Sequence, residues 1–120
     1  MKIAVSATGN TMESVLDQRF GRAAWFVLVE TETMEYEAVD NAATASSGGA
    51  GISAAQTVAN KDAKAVITGN VGPNAMNVLN AANLKIYKGI VASVKENVEM
   101  LKKGELKRIS AAAPTHYGMR

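Results

Sequence analysis

The segment that decides the fold reads GGAGISAAQTVANKDAKAVITGNVGPN and runs from Gly48 to Asn74. A glycine-rich start precedes an apolar-periodic run from Ile52 to Asn60, and a short apolar run at Ala65-Val66-Ile67 precedes a second glycine loop. This order predicts a helix, a strand and a second helix, with Pro73 in the first turn of the second helix. Each helix start offers unpaired backbone N–H groups and the positive end of a helix dipole, which is the usual setting for a bound anion. The segment therefore indicates a binding function more strongly than it indicates any chemistry.

Strands and helices continue to alternate on both sides of this segment. Further strands are predicted at Lys2–Ala7, Trp25–Thr31, Met34–Asn41 and Leu84–Tyr87. A capping box from Ser93 to Glu96 predicts a third helix, and Glu32-Thr33 predicts a tight antiparallel hairpin. The order βββαβαβα predicts an α/β protein with a ribonuclease-H-like three-layer fold. Its sheet would have five strands in a mixed arrangement, with only the second strand antiparallel, and helices on both faces.

The length predicts one domain with one modest core, because 120 residues are too few for two. The domain is predicted to span residues 1–104, and residues 105–120 are predicted to form a flexible tail because the apolar pattern fades after Gly104. Burial is predicted for Val5, Phe26, Leu28, Val66, Ile67 and Leu79.

Composition excludes several classes of function. Hydrophobic residues make up 48% and charged residues 20% of the chain, as in ordinary globular proteins. Thirteen basic and eleven acidic side chains give a net charge of +2, which argues against nucleic-acid binding driven by bulk charge. The chain has no cysteine, so zinc–thiolate sites and cysteine-ligated iron–sulfur clusters are excluded. No apolar run approaches the roughly 20 residues of a membrane helix, and the start is not a signal peptide, so a cytoplasmic protein is expected.

The predicted topology brings four loops to one edge of the sheet. Loops 8–23, 42–48, 69–72 and 89–92 follow strands that run in the same direction, and they contain most of the glycines together with Arg19 and Arg22. Ligands of open α/β sheets bind at this carboxyl edge. Loop 42–48 offers almost no apolar anchor, so it is expected to act as a lid that becomes ordered on binding.

Each of these elements also has a purely structural interpretation. The run from Gly48 to Gly51 could serve a tight turn, since it lacks the Lys-Ser/Thr pair of a Walker loop and the dinucleotide fingerprint. Arg19 and Arg22 could pair with surface carboxylates such as Asp17. Thr68 to Asn70 could merely cap the second helix. The coincidence of the loops at one edge, rather than any single motif, therefore supports a site.

Three motifs carry a resemblance to a known family. They are Phe20-Gly21-Arg22 preceded by Asp17-Gln18-Arg19, then Gly48-Gly49-Ala50-Gly51-Ile52, and then Thr68-Gly69-Asn70-Val71-Gly72-Pro73-Asn74-Ala75. Through them the chain, from Met1 to about Leu101, resembles the dinitrogenase iron–molybdenum cofactor biosynthesis family, which includes NifX and the carboxyl-terminal part of NifB. Within that family it looks closest to the small stand-alone orange proteins, which hold a mixed molybdenum–copper sulfide cluster.

The resemblance implies a non-enzymatic carrier of an anionic molybdenum-containing metal–sulfur cluster, of the molybdenum–copper sulfide type. Such a cluster brings its own sulfide, so hydrogen-bond donors and positive potential can hold it without a thiolate. The cluster-binding residues that the resemblance implies are Arg19, Arg22, Gly48, Gly49, Ala50, Gly51, Thr68, Gly69, Asn70 and Gly72. Direct ligation by a side chain is not expected, and the remaining candidate for it, His116, lies outside the resemblance. Implied partners are cluster-acceptor proteins or P-loop ATPases.

Two other functions stay open from the residues alone. The same helix starts could bind phosphate or a nucleotide in a regulatory module. A ribonuclease-H-like metal-dependent hydrolase would need paired carboxylates at the ends of central strands, where this chain has Ser6. Asp17 and Asp40 are not joined by a third converging carboxylate, which disfavours hydrolysis.

Overall fold

A computed structural model describes residues 1–41 and 49–110 of the chain. The strands in these ranges are β1 (Lys2–Ala7), β2 (Trp25–Glu30), β3 (Tyr36–Asp40), β4 (Ala65–Thr68), β5 (Lys85–Lys88) and β6 (Lys107–Arg108). The helices are α1 (Ala50–Asn60), α2 (Pro73–Ala81) and α3 (Val94–Lys102). The predicted lid at 42–48, which includes Gly48, lies outside the described residues, as does the segment 111–120 with His116.

The strands form one mixed sheet in the order β3-β2-β1-β4-β5-β6. β1, β4 and β5 are parallel, whereas β2 is antiparallel to both β1 and β3, so β3 runs in the direction of β1. The central strands are apolar on both faces because helices cover both faces, and every residue of β4 is buried. The edge strands β3 and β6 are short and largely exposed.

The prediction of a five-stranded, ribonuclease-H-like sheet with one reversed strand is wrong. The described residues form a sixth strand, β6, which is antiparallel to β5, so two strands are reversed. β6 consists of two charged residues, which carry no apolar alternation that a sequence pattern could reveal. Tertiary contacts position it instead: the N–H of Ile109 donates to the carbonyl of Ile86 at 2.8 Å, and Leu106 and Ile109 pack on opposite faces of the sheet. The predicted boundary between domain and tail at residue 104 stays a prediction.

Two apolar layers cover the two faces of the sheet. On one face, α1 and α2 pack against β-strand residues that include Phe26, Leu28 and Val66. On the other face, Val94 and Val98 of α3 pack against residues that include Val5 and Ile67. The prediction of burial for Val5, Phe26, Leu28, Val66, Ile67 and Leu79 is confirmed, because each is at most 3% exposed.

Local signals define the helix ends. The predicted capping box of α3 is present, since the hydroxyl of Ser93 accepts the N–H of Glu96 at 3.0 Å while the Glu96 carboxylate accepts the N–H of Ser93. Asn83, which follows α2, has φ 63°, the left-handed conformation that is common just after the end of a helix. Within the described ranges, no helix has the length and apolar character needed to cross a membrane.

Asn97 is fully buried in α3 and holds the loop 89–93 in place. Its Oδ1 accepts the N–H of Ile90 at 2.8 Å, and its Nδ2 donates to the carbonyls of Ile90 at 3.1 Å and Ser93 at 2.9 Å. Asn97→Ala should lower the free energy of unfolding by about 1–3 kcal/mol, because buried backbone groups lose their partners. Urea unfolding would measure the change, with Asn80→Ala on the exposed side of α2 as the control. Equal midpoints for the two variants would contradict this role.

Candidate functional site

Four strands end at one edge of the sheet, here called the carboxyl edge. β1, β3, β4 and β5 run in the same direction and end there at Ala7, Asp40, Thr68 and Lys88. Loops 8–23, 69–72 and 89–92 therefore lie at this edge. The sheet order changes direction between β1 and β4, which is the position where open α/β sheets hold their ligands.

A cleft of about 300 Å³ opens at this edge between the starts of α1 and α2. Three segments line it: Gly21-Arg22 from the loop between β1 and β2, residues 49–52 at the start of α1, and residues 72–75 at the start of α2. The volume is at the lower end of the range for small-molecule sites. The cleft therefore suits a compact ligand rather than an extended one.

Both helices that meet at the cleft begin without a side-chain cap from the described residues. Their N-cap residues are Gly49, with φ 67°, and Gly72. The first N–H groups of an α-helix have no partner within the helix. Those of Gly51 and Ile52 in α1, and of Ala75 in α2, lie beside the cleft and have no partner in residues 1–41 and 49–110. The two helix dipoles add positive potential at the same place. By contrast α3, which does not line the cleft, has a complete side-chain cap.

Small residues allow the three lining segments to approach one another. A Cβ atom on Gly21 would lie 3.0 Å from both the Cα and the N of Gly51, and a Cβ atom on Gly51 would lie 3.2 Å from the Cβ of Ala75. These distances leave little room for a side chain at either glycine. The backbone donors of both helix starts are therefore brought within reach of one ligand.

The two predicted cationic ligands, Arg19 and Arg22, occupy different environments. Nε and Nη2 of Arg19 donate to the carboxylate of Asp17 at 3.1 and 3.0 Å, and the backbone N–H of Arg19 donates to the same carboxylate at 2.9 Å. Hydrogen bonding to Asp17 raises the pKa of Arg19. The Asp17 side chain is 6% exposed and that of Arg19 is 69% exposed. Arg19 therefore forms the ion pair with Asp17 that the structural interpretation expected. Arg22 lines the cleft.

A buried polar cluster lies beneath the loops of the carboxyl edge. The hydroxyl of Ser6 lies 2.6 Å from the backbone carbonyl oxygen of Asp17 and 2.7 Å from the hydroxyl of Thr68. All three residues are buried. The cluster fastens the loop that follows β1 to the ends of β1 and β4, so Thr68 acts as a positioning residue for this loop.

Gly69 and Asn70 hold the same loop through backbone contacts. The N–H of Asn70 donates to the carbonyl of Gln18 at 2.7 Å, and the carbonyl of Asn70 accepts the N–H of Phe20 at 3.2 Å. Gly69 packs so closely on Gln18 that a Cβ atom there would lie 2.7 Å from its backbone oxygen. The N–H of Asn70 is therefore already used within the protein.

The structure brings together five of the predicted site residues around the cleft: Arg22, Gly49, Ala50, Gly51 and Gly72. It places Arg19, Thr68, Gly69 and Asn70 next to the cleft as residues that shape the loops. Gly48 and His116 lie outside the described residues.

Sequence reasoning missed several lining residues: Gly21, Ile52, Pro73, Asn74 and Ala75. All of them stand in the motifs that carry the family resemblance. The signal that could have found Ile52, Asn74 and Ala75 is their place in the first turn of a helix, where N–H groups lack partners.

The cleft is suited to holding an anion. It offers backbone N–H donors, one guanidinium group from Arg22 and the apolar side chain of Ile52. In residues 1–41 and 49–110, no three His, Cys, Asp or Glu side chains are grouped so that they could hold a metal ion.

Known proteins are similar to this chain over almost its whole length. The sequence profile described as dinitrogenase iron-molybdenum cofactor matches residues 1–104. The apo form of the orange protein from Desulfovibrio gigas is 39% identical, with a TM-score of 0.90 over 94% of this chain and 96% of that chain. A Thermotoga protein provisionally named NifB is 29% identical, with a TM-score of 0.83 over 95% of this chain and 97% of that chain. No match was found among curated protein sequences.

The profile match covers most of the chain, and a structural relative above 30% identity spans nearly all of it. The recognition made from the three motifs is thereby confirmed. This chain belongs to the dinitrogenase iron–molybdenum cofactor family.

Proposed function

We propose that this protein is a non-enzymatic carrier that binds an anionic molybdenum-containing metal–sulfur cluster, of the molybdenum–copper sulfide type, in the cleft between α1 and α2. The observation that carries the proposal is the pair of helix starts, both without a side-chain cap from the described residues, that face one cleft beside Arg22. Two converging helix starts whose N–H groups have no partner among the described residues form an arrangement that an anion can complete.

The relatives support the same function. The family takes its description from the iron–molybdenum cofactor of dinitrogenase. The similar structures include an orange protein and a protein provisionally named NifB. The proposal also includes cluster-acceptor proteins or P-loop ATPases as partners, and a cytoplasmic location.

The chemistry of the cleft fits a cluster that carries its own sulfur. A sulfide cluster needs no protein thiolate, and the sequence contains no cysteine to supply one. Backbone N–H groups and the Arg22 guanidinium can donate hydrogen bonds to cluster sulfides without entering the metal coordination shell. Ile52, which is half-buried at the cleft, would cover part of the cluster from water.

The direct experiment is a titration of the apo protein with tetrathiomolybdate and a copper salt. Protein separated from free reagents should show a visible absorption band and retain molybdenum and copper in a fixed ratio. Parallel titrations with inorganic phosphate and with ATP distinguish the rival function. Tight binding of phosphate or ATP, together with no retention of metal, would replace the cluster carrier by a phosphate-binding module.

A single added charge tests the location of the site. Asn74→Asp puts a carboxylate in the first turn of α2 at the cleft, where it should preserve or raise the stability of the helix. The same carboxylate should repel the cluster and weaken its binding by about tenfold to a hundredfold. Affinity from the absorption titration and stability from thermal unfolding would both be measured.

The control is Asn80→Asp, which makes the same change of charge near the other end of α2 at an exposed position. It should leave cluster affinity nearly unchanged. If both variants bind the cluster equally well while wild-type protein binds it, the cluster lies elsewhere on the molecule.

A further inference from the structure

The two edges of the sheet carry opposite charges. In the β2–β3 hairpin the charged residues from position 30 to position 40 are all acidic: Glu30, Glu32, Glu35, Glu37 and Asp40. In β5 and β6 the charged residues are all basic: Lys85, Lys88, Lys107 and Arg108. The sheet order places β3 at one edge and β6 at the other, so the acidic and basic surfaces face away from each other.

Contacts among residues 1–41 and 49–110 neutralise these edges only in part. The amino group of Met1 pairs with Glu30 and Glu32, and Nζ of Lys61 lies 3.4 Å from the carboxylate of Glu37. Across the described ranges, Glu35 and Asp40 have no cation within ion-pair distance. The basic residues of β5 and β6 are all exposed, and within the same ranges none of them has a carboxylate within ion-pair distance.

The acidic edge has a concave surface. A cleft of about 220 Å³ lies on the surface of the sheet beside this edge. Its lining includes Leu28 of β2 and the carboxylates of Glu30, Glu35 and Glu37, together with Tyr36, which is 48% exposed. Lys2 also lines this cleft, and its Nζ donates to the carbonyl of Lys61 at 3.1 Å. Carboxylates beside an aromatic ring form a suitable binding site for a Lys or Arg side chain.

We propose that the protein self-associates head to tail, with the basic β6 edge of one copy docked on the acidic β3 edge of a second copy. β6 runs opposite to β1 and β3, so a second copy in the same orientation presents β3 antiparallel to β6. Oppositely charged side chains that face each other across antiparallel strands attract, and like charges repel. Contacts between two acidic edges or two basic edges are therefore disfavoured, and only the mixed contact is attractive.

The expected association is weak and depends on salt. The interacting charges are exposed, so each pair contributes little and is screened at high ionic strength. The contact joins different surfaces of the two copies, so it can repeat along a chain of copies. It includes no residue that lines the cleft between α1 and α2, so its test is independent of the proposed function.

Sedimentation velocity over a range of protein concentrations would test the proposal. Wild-type protein should associate reversibly at about 20 mM NaCl, and the association constant should fall about tenfold or more at about 300 mM NaCl. The acid-edge variant, Glu35→Lys with Glu37→Lys, should remain monomeric alone. The basic-edge variant, Lys107→Glu with Arg108→Glu, should also remain monomeric alone. A mixture of the two variants should associate, because each supplies the edge that the other lacks.

A charge-matched control distinguishes contacts at the two edges from an effect of net charge on association. Glu13→Lys with Glu99→Lys changes the net charge as much as the acid-edge variant does, at exposed positions away from both edges. It should associate like wild type. The proposal is overturned if wild-type protein stays monomeric up to about 1 mM in about 20 mM salt. It is equally overturned if the acid-edge variant associates like wild type, or if the control loses association to the same extent.

Discussion

Gly69→Ala is expected to lower the free energy of unfolding by about 3 kcal/mol, which corresponds to a fall in Tm of roughly 10–20 °C. The added Cβ atom would lie 2.7 Å from the backbone oxygen of Gln18 and 2.8 Å from its Cα. These are backbone atoms, so the clash cannot be relieved by rotating a side chain. The loop after β1 would have to move away from the end of β4, and Arg22 would move with it.

Thermal and urea unfolding would measure the loss of stability, and the thiomolybdate–copper titration would measure the accompanying loss of cluster binding. Gly72→Ala is the matched control, because among the described residues no atom beyond its chain neighbours lies within 4 Å of its Cβ position, and its φ of −72° suits alanine. Its free energy of unfolding should stay within about 1 kcal/mol of wild type. A Gly69→Ala protein as stable as Gly72→Ala would show that the close contact with Gln18 does not restrict this position.

Arg22→Ala is expected to weaken cluster binding by about tenfold to a hundredfold, because it removes one charge-assisted hydrogen-bond donor from the cleft. Its stability should change little, since Arg22 is exposed. Arg22→Lys, which keeps the charge but loses the planar fork of donors, should recover part of the affinity. The affinity of wild type should fall with added salt, and that of Arg22→Ala should fall less steeply.

Arg19→Ala should show the opposite pattern. It leaves the buried carboxylate of Asp17 without its side-chain ion partner, so Tm should fall while cluster affinity falls less than in Arg22→Ala. His116→Ala should bind the cluster normally. If His116→Ala alone lost the cluster colour while both arginine variants kept it, direct ligation by the histidine would replace binding through donors in the cleft.

Local sequence signals predicted the parts of the fold that short segments determine. Ser93 and Glu96 satisfy each other's N–H groups within one helical turn. Pro73 has no backbone N–H that would need an acceptor at the start of α2. Both helix starts could therefore be assigned from the sequence. The predicted burial of Val66 and Leu79 was correct because apolar residues of central strands and of the apolar stripe of a helix pack in the core.

The difference between Arg19 and Arg22 could not be predicted in this way. Both are exposed cations of one loop, and the sequence offers Asp17 to either of them. The choice depends on the burial of Asp17, whose backbone is held against Ser6 at the end of β1. With Asp17 fixed there, its carboxylate meets Arg19 and the chain continues through Gly21 to bring Arg22 to the cleft.

The sequence by itself determined the α/β class, the main strands and helices and the six tested core positions. It also determined the family and the glycine-rich helix starts. These features depend on periodicity and on contacts between residues close in the chain. Tertiary structure alone decided that β6 joins the sheet. Its two charged residues form a strand only because Leu106 and Ile109, on either side of them, pack against the two apolar layers. Tertiary structure also decided which residues line the cleft, because that depends on how closely Gly21, Gly51 and Ala75 approach from three separate segments. Such approach distances are set by the packing of whole helices on the sheet, which no local pattern of residues specifies.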